Sequence, residues 1–246
     1  MSTKFKLLVN TLAESAWSRL LPTPCTLCAD PTTDGEIICR PCQTQLPTNP
    51  VHCPRCALPL PANQPNSAVC GQCLRKPPAF DSALAPLIYA PPVSHLISQL
   101  KYHRRLATGQ TFARLIGQRV AALEQPLPDA IIPVPLHRQR LRQRGFNQSV
   151  EIARPLAKLI NRPLLINQAE RHKITAPQTG LSGPARRKNL RGAFTVNSSI
   201  SQRRVALIDD VMTTGSTASE LATTLKKAGV AEVAIWVVAR VTDPRR

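Results

Sequence analysis

The chain has 246 residues, 43% of them hydrophobic and 19% charged, enough to bury a proper core in one large or two modest domains. Lysine and arginine number 32 against 14 acids, a formal charge of +18 that favours a polyanionic partner: nucleic acid, an acidic membrane surface or a phosphorylated substrate. Aromatics make up only 4%, so the core is aliphatic, and runs such as Val233 to Ala239 fall far short of the ~20 apolar residues of a transmembrane helix.

Residues 1–21 carry Lys4 and Lys6 but lack the uninterrupted apolar centre of a secretory signal. Leu7, Leu8, Leu12, Trp17, Leu20 and Leu21 instead predict a short amphipathic helix on a protein expected to be cytoplasmic. All eight cysteines follow, in four Cys-x-x-Cys pairs: Cys25/Cys28, Cys39/Cys42, Cys53/Cys56 and Cys70/Cys73. In a reducing compartment such pairs bind metal, two pairs completing one tetrahedral Cys₄ zinc site. Eight ligands make two structural sites. The gaps of 10 and 13 residues within successive pairs favour sequential ribbons, while a cross-brace joining 25/28 to 53/56 stays open. A double zinc ribbon is thus expected over 22–76, joined through Leu74 to Phe80 to an α/β domain over 77–246.

In that domain Leu84 to Tyr89 predicts a first strand, interrupted by Pro86 and therefore at a sheet edge. Ser94 to Leu123 is mostly helical, with Leu96, Ile97 and Leu100 and then Phe112, Leu115, Ile116 and Val120 on its apolar faces. The basic cluster from Lys101 to Arg105 lies between them. Ala130 to Pro135 is a second buried strand. Arg138, Arg140, Arg142 and Arg144 then alternate before Gly145, and in a loop such guanidinium groups suit bidentate contacts to phosphate. A helix over 147–160 contains Pro155, which predicts a kink or a break. Arg171 to Lys188 is long, basic and Gly/Pro-containing, the make-up of a loop that closes over a charged ligand. Phe194 to Val196 and Val233 to Val238 supply further strands.

The stretch with the most chemistry is Arg204 to Thr217. Val205 to Ile208 suits a strand buried on both faces of a parallel sheet, and Asp209 and Asp210 follow at its carboxyl end, where open α/β sheets place their ligands. The small residues Thr213, Thr214, Gly215, Ser216 and Thr217 then lead into a helix with Leu221 and Leu225 on one face, Thr217 and Glu220 spaced as a capping box, and Gly229 as its stop. Backbone N–H groups of such a loop hold a phosphate. Paired acids repel that anion but accept hydrogen bonds from vicinal ribose hydroxyls, or hold Mg²⁺ through water.

This string resembles the phosphoribosyl pyrophosphate (PRPP) motif of type I phosphoribosyltransferases. Taken with the four Cys-x-x-Cys pairs, Pro133-Val-Pro135, Arg144-Gly-Phe-Asn-Gln148, Gln178-x-x-Leu181, Arg186/Arg187 with Asn189, and Gly192-x-Phe194, the chain resembles the ComF (ComF/GntX-like) family over residues 20–241. That resemblance implies a type I phosphoribosyltransferase-like parallel sheet flanked by helices, behind the Cys-rich module. It implies Asp209 and Asp210 on the ribose, Val211, Met212 and Thr213 to Thr217 on the phosphoribosyl group, and Lys101, Arg138, Arg144, Arg186 and Arg187 on pyrophosphate or another polyanion. It also implies that 171–189 is the lid. The cofactors expected are zinc at both cysteine sites and Mg²⁺ with PRPP. Members of the family are associated with DNA uptake or use of DNA as a nutrient, so single-stranded DNA is the partner expected. Catalytic phosphoribosyl transfer to an unidentified acceptor, and a ribbon scaffold docking a DNA-translocation ATPase, are the alternatives. No segment is identifiable as a hood that reads a nucleobase.

Overall fold

The computed structural model describes residues 23–32, 36–65, 67–123, 125–173, 190–197 and 200–242, so the helix expected over 1–21 and most of the expected lid lie outside the described residues. The chain divides into two compact units between Leu46 and Pro47.

In the first unit the Cys25 N–H donates to the Asp30 carbonyl (2.7 Å) and the Ala29 N–H to the Cys25 carbonyl (2.9 Å). Ala29 takes a left-handed φ of 66° to close the knuckle. Cys39 precedes helix α1, Arg40–Thr44, and its N–H points at Cys25 Sγ (3.4 Å). The second unit opens with the same plan. The Cys53 N–H donates to Leu58 (2.9 Å), the Ala57 N–H to Cys53 (2.8 Å), and Ala57 sits at φ 53°. Cys70 precedes helix α2, Gly71–Arg75, and donates to Cys53 Sγ (3.4 Å).

The rest of the second unit is α/β. In chain order it comprises β1 (Ser82–Leu84), β2 (Leu87–Ile88), α3 (Val93–His103), α4 (Ala107–Ala121), β3 (Ala130–Pro133), α5 (Arg138–Arg144), α6 (Gln148–Leu159), β4 (Ala169–Arg171), β5 (Phe194–Val196), β6 (Arg204–Met212), α7 (Ser216–Lys227) and β7 (Glu232–Arg240). The main sheet is parallel, ordered β1-β7-β6-β3, with β2 also on β7; β4 and β5 form a separate antiparallel pair. As expected, Pro86 splits the edge strand in two. Continuous apolar runs in β6 and β7 bury both faces of the sheet centre. Val205, Leu207, Ile235 and Val237 cluster with Leu221 and Leu225 of α7, while α6 packs against β3 and β6 and is covered by α4. The 94–123 helix is two helices, divided where Arg104 takes φ 53°.

Three local expectations are corrected. The alternating arginines lie on a helix, α5, capped by the His137 side chain and ended by Gly145 at φ 82°, so they do not form a loop. Helix α7 starts at Ser216 with Gly215 (φ 74°) before it. The Thr217–Glu220 capping box does not form, and Glu220 instead accepts the Gly192 N–H (2.6 Å). Helix α6 runs unbroken through Pro155. Proline there has no N–H for the carbonyl of Glu151, four residues earlier. That carbonyl faces Gly109 of α4, where an added Cβ would lie only 2.8 Å from the oxygen. Glycine thus lets α4 close onto the turn that proline has left short of a donor.

Gly109→Ala is expected to cost about 1–3 kcal/mol by urea unfolding, because the obstacle is backbone and cannot swing away. Gly71→Ala, where a Cβ meets nothing within 4 Å, serves as the control and should lose nothing. Equal losses at both positions would refute the close-approach account.

Candidate functional site

At the carboxyl end of the sheet lies a cavity of about 320 Å³, walled by the last residues of β6, the loop into α7, the end of α3, α5 and the first turn of α6. Its floor carries Asp209 and Asp210, held within β6 by pairing with β7 that continues to Met212↔Arg240. Asp210 is 3% exposed. Lys101 of α3 forms an ion pair with its Oδ2, and Gln148 Nε2 donates to its Oδ1 (3.4 Å). Asp209 accepts from Ser149 Oγ (2.8 Å) and from the Asp210 N–H (2.9 Å). Against the penalty of burial, the Lys101 ammonium holds Asp210 below the usual carboxylate range. Burial, with the neighbouring Asp210 charge, pushes Asp209 up to about 7. The pair near neutral pH therefore carries less negative charge than two free carboxylates, which lowers the repulsion an incoming phosphate meets.

One wall is the small-residue loop. Val211, Met212, Thr213, Gly215, Ser216 and Thr217 line the cavity; Thr214 is not among the lining residues, and its hydroxyl bonds Ser216 Oγ (2.8 Å). A side chain at Gly215 would meet Met212 Sδ at 3.4 Å and the Phe80 ring at 3.5 Å, and its φ already favours glycine. The opposite wall is cationic. Arg140 and Arg144, one turn apart on α5, and Arg171 of β4 all line it. Arg144 donates to Gln148 Oε1 and stacks over Tyr102, its guanidinium carbon 5.4 Å from the ring centre. Arg171 is buried with its guanidinium over Phe194 (5.7 Å).

The residues expected on polyanion divide accordingly. Arg144 lines the cavity, Lys101 reaches it but pairs with Asp210, and Arg138 pairs with Glu170 (3.3 Å) and does not line it. Arg186 and Arg187 lie outside the described residues. Sequence reasoning did not single out Ser149 and Gln148 as partners of the acids, Tyr102 as a stacking partner, or Arg240. This last residue is a lone arginine closing the apolar run of β7, which was a legible signal: it is 2% exposed and bonds the carbonyls of Cys56, Met212, Thr213 and Val241.

The cysteines form two sequential groups, Cys25/Cys28/Cys39/Cys42 and Cys53/Cys56/Cys70/Cys73, in each of which the sulfurs all lie within 4.8 Å of one another. The cross-brace is excluded among the described residues. Sulfur separations of 3.5 Å (Cys28–Cys39) and 3.6 Å (Cys56–Cys70) fit the ~3.8 Å of four thiolates ~2.3 Å from one tetrahedral ion. With every vertex taken by sulfur, each group is a structural zinc site with no position for substrate.

Two outcomes are expected. Zinc release by a chelator under denaturing conditions should yield about two ions per chain, and one or none would contradict two closed tetrads. Asp209 has a folded pKa raised above its ordinary value, so its stabilising share is complete below about pH 4 and is lost as pH rises through about 7. Asp209→Asn, which cannot ionise, should therefore gain stability relative to wild type as pH climbs from 4 to 8. Parallel curves of urea midpoint against pH would contradict the assignment.

Comparison with known proteins bears on the whole chain. Residues 16–74 match the double zinc ribbon domain family. The chain is 36% identical over 227 residues to DNA utilization protein YhgH of Escherichia coli K12, covering 89% of this chain and 98% of that protein. It is 38% identical over 210 residues to competence protein F of Haemophilus influenzae, covering 82% and 90%. Among solved structures, a purine phosphoribosyltransferase from Pyrococcus horikoshii overlaps 55% of this chain and 84% of its own at 17% identity and a TM-score of 0.34. A glutamine PRPP amidotransferase from B. subtilis overlaps 52% and 25% at 16% identity and a TM-score of 0.35. More than a third of residues shared along nearly the full length of YhgH and of competence protein F makes this chain a member of the ComF (ComF/GntX-like) family.

Proposed function

We propose that this protein acts in the uptake or use of single-stranded DNA and takes a phosphorylated pentose, as PRPP or a nucleotide, into the cavity at the end of the main sheet. The observation that carries the reading is the meeting of opposite chemistries across one cavity: hydroxyl-accepting carboxylates on the floor, a small-residue loop at a helix start on one side, and Arg140, Arg144 and Arg171 on the other. Asp209 and Asp210 take the ribose hydroxyls, residues 211–217 the 5′-phosphate, and the arginines the pyrophosphate or the next phosphate of a strand. Mg²⁺, if bound with PRPP, would supply positive charge to offset that of the pyrophosphate. Asp210 is engaged by Lys101 and Gln148, so Asp209 is the carboxylate with capacity to reach that ion through water. The names of the relatives, DNA utilization protein and competence protein F, and the charge of +18 support a DNA-handling role, with contacts mainly to the sugar-phosphate backbone. Docking of a DNA-translocation ATPase remains part of this reading only as a partner for the assembled protein.

A second reading, transfer of the phosphoribosyl group to an acceptor, is favoured by the continuation of the cavity past the acids to Tyr89, Ile235 and Val237. Electrostatic preorganisation around the departing pyrophosphate would supply most of such catalysis. Release of pyrophosphate when PRPP is mixed with candidate acceptors separates the two readings.

Calorimetric titration of the zinc-loaded protein with PRPP and Mg²⁺, beside Asp209→Ala/Asp210→Ala, tests the pocket. Saturable binding is expected in the wild type, with a loss of at least about tenfold in the variant, roughly 1.4 kcal/mol. Equal binding by a folded variant, or none by the wild type, would remove the sugar-phosphate assignment.

A further inference from the structure

The second zinc site and the loop into α7 share one buried cation. The Arg240 Nε donates to the Cys56 carbonyl (2.9 Å), inside the second Cys₄ group, and Nη1 donates to the carbonyls of Met212 (3.1 Å) and Thr213 at the end of β6. Among the described residues no carboxylate pairs with this guanidinium, which is 2% exposed. A buried charge without a counter-ion is costly. Four thiolates on one divalent zinc make a dianion, and the nearest such centre is the one that contains Cys56.

The orientation of these bonds matters for the loop. A peptide unit is planar and trans, so its N–H points away from its C=O. With the carbonyl of Met212 turned to Arg240, the N–H of Thr213, a residue that lines the cavity, faces the other way, as a loop that binds an anion through backbone donors requires. We infer that Arg240 is a positioning residue for the phosphate loop, and that through Cys56 it couples occupancy of the second zinc site to binding of the sugar-phosphate. The inference rests on the sugar-phosphate reading of that loop. Zinc would fix the knuckle that carries the Cys56 carbonyl and hold the four sulfurs together as thiolates, whose net negative charge faces Arg240. Without the ion the guanidinium loses its electrostatic partner and the loop loses its template.

Coupling of this kind is reciprocal: ligand must hold zinc by the same factor by which zinc holds ligand, about 5- to 150-fold for typical linked sites. The test uses the full zinc-loaded chain, ribose 5-phosphate or PRPP as the ligand, and a chromophoric chelator to follow zinc loss. In equilibrium competition with the chelator, saturating ligand should tighten one zinc equivalent at least about fivefold and leave the other, in the first tetrad of the other compact unit, unchanged. Arg240→Met should bind the ligand about 5- to 150-fold more weakly and show zinc release that no longer responds to it. Ligand binding with the affinities of both zinc equivalents unchanged overturns the coupling, and the wild-type protein alone decides this if the variant does not fold. Absence of any ligand binding by the zinc-loaded wild type removes the sugar-phosphate reading and this inference with it.

Discussion

Charge compensation is the constraint on which this site depends. A chain of net charge +18 places two consecutive carboxylates on the floor of a cavity whose other walls suit anions. Left bare, those acids would oppose the phosphate their neighbours attract. The fold answers from two different helices. Lys101 arrives from the end of α3 to pair with Asp210, and Ser149 and Gln148 arrive from the start of α6 to bond Asp209 and Asp210. Burial then separates the two acids, Asp210 held ionised by the lysine and Asp209 lifted towards neutrality. Both groups keep the capacity to accept hydrogen bonds in this state, because a carboxyl group accepts them whether or not it carries its full charge.

The helices can deliver those groups only because the packing beneath them is tight. Asn147 caps α6 through its own side chain, accepting the Ser149 N–H (3.0 Å), and its amide donates to Val134 at the end of β3 (3.0 Å). The first turn of α6 is thereby tied to the strand next to β6, which sets Gln148 and Ser149 over the acids. The approach of α4 to α6 at Gly109 braces the same helix from behind. A sheet-bound floor and a strand-anchored helix start make a rigid site, and rigidity here comes from backbone attachment more than from side-chain bulk.

Much of this was legible in the sequence, and the misses share a physical cause. The apolar run before Asp209, the small loop and the four cysteine pairs are local patterns: each fixes its own geometry within a few residues, and each was read correctly as strand, loop and metal knuckle. The gaps between the cysteine pairs favour the sequential arrangement but leave the cross-brace open, and it is the two tetrads of the structure that decide it. Reading failed where a residue's role is set by an element distant in sequence. Alternation of Arg138, Arg140, Arg142 and Arg144 suggests a loop, yet a helix disperses them, so that Arg138 meets Glu170 while Arg140 and Arg144 face the cavity. Glu220 has the spacing of a capping residue, but Gly192 supplies a backbone N–H that competes for it. Pro155 predicts a kink or a break, and no break occurs: the helix continues through it, with Gly109 of α4 lying against the Glu151 carbonyl that has lost its donor. Lys101 reads as a cation at the ligand site; it does line the cavity, and what the sequence does not show is its ion pair with Asp210, 109 residues away.

The second cysteine group shows how a small metal module becomes part of a sheet. The edge strand is short and split by Pro86, a weak place for any parallel sheet. The segment before Cys53 covers it. Ile88 donates to Pro47 (2.8 Å), Asn49 donates to Pro86 (2.9 Å), and Ala83 donates to Pro54 (3.0 Å) inside the knuckle. The Asn49 amide spans the junction, bonding the carbonyls of Ala57 and Ala85. Ala57, buried at the tip of the knuckle, belongs to the same apolar cluster as Phe80 and Met212 beside the loop into α7. Two of these bonds, to the carbonyls of Pro54 and Ala57, are made to the knuckle itself. The second knuckle, through Pro54 and Ala57, thus takes part in covering the edge of the sheet whose centre carries the acids.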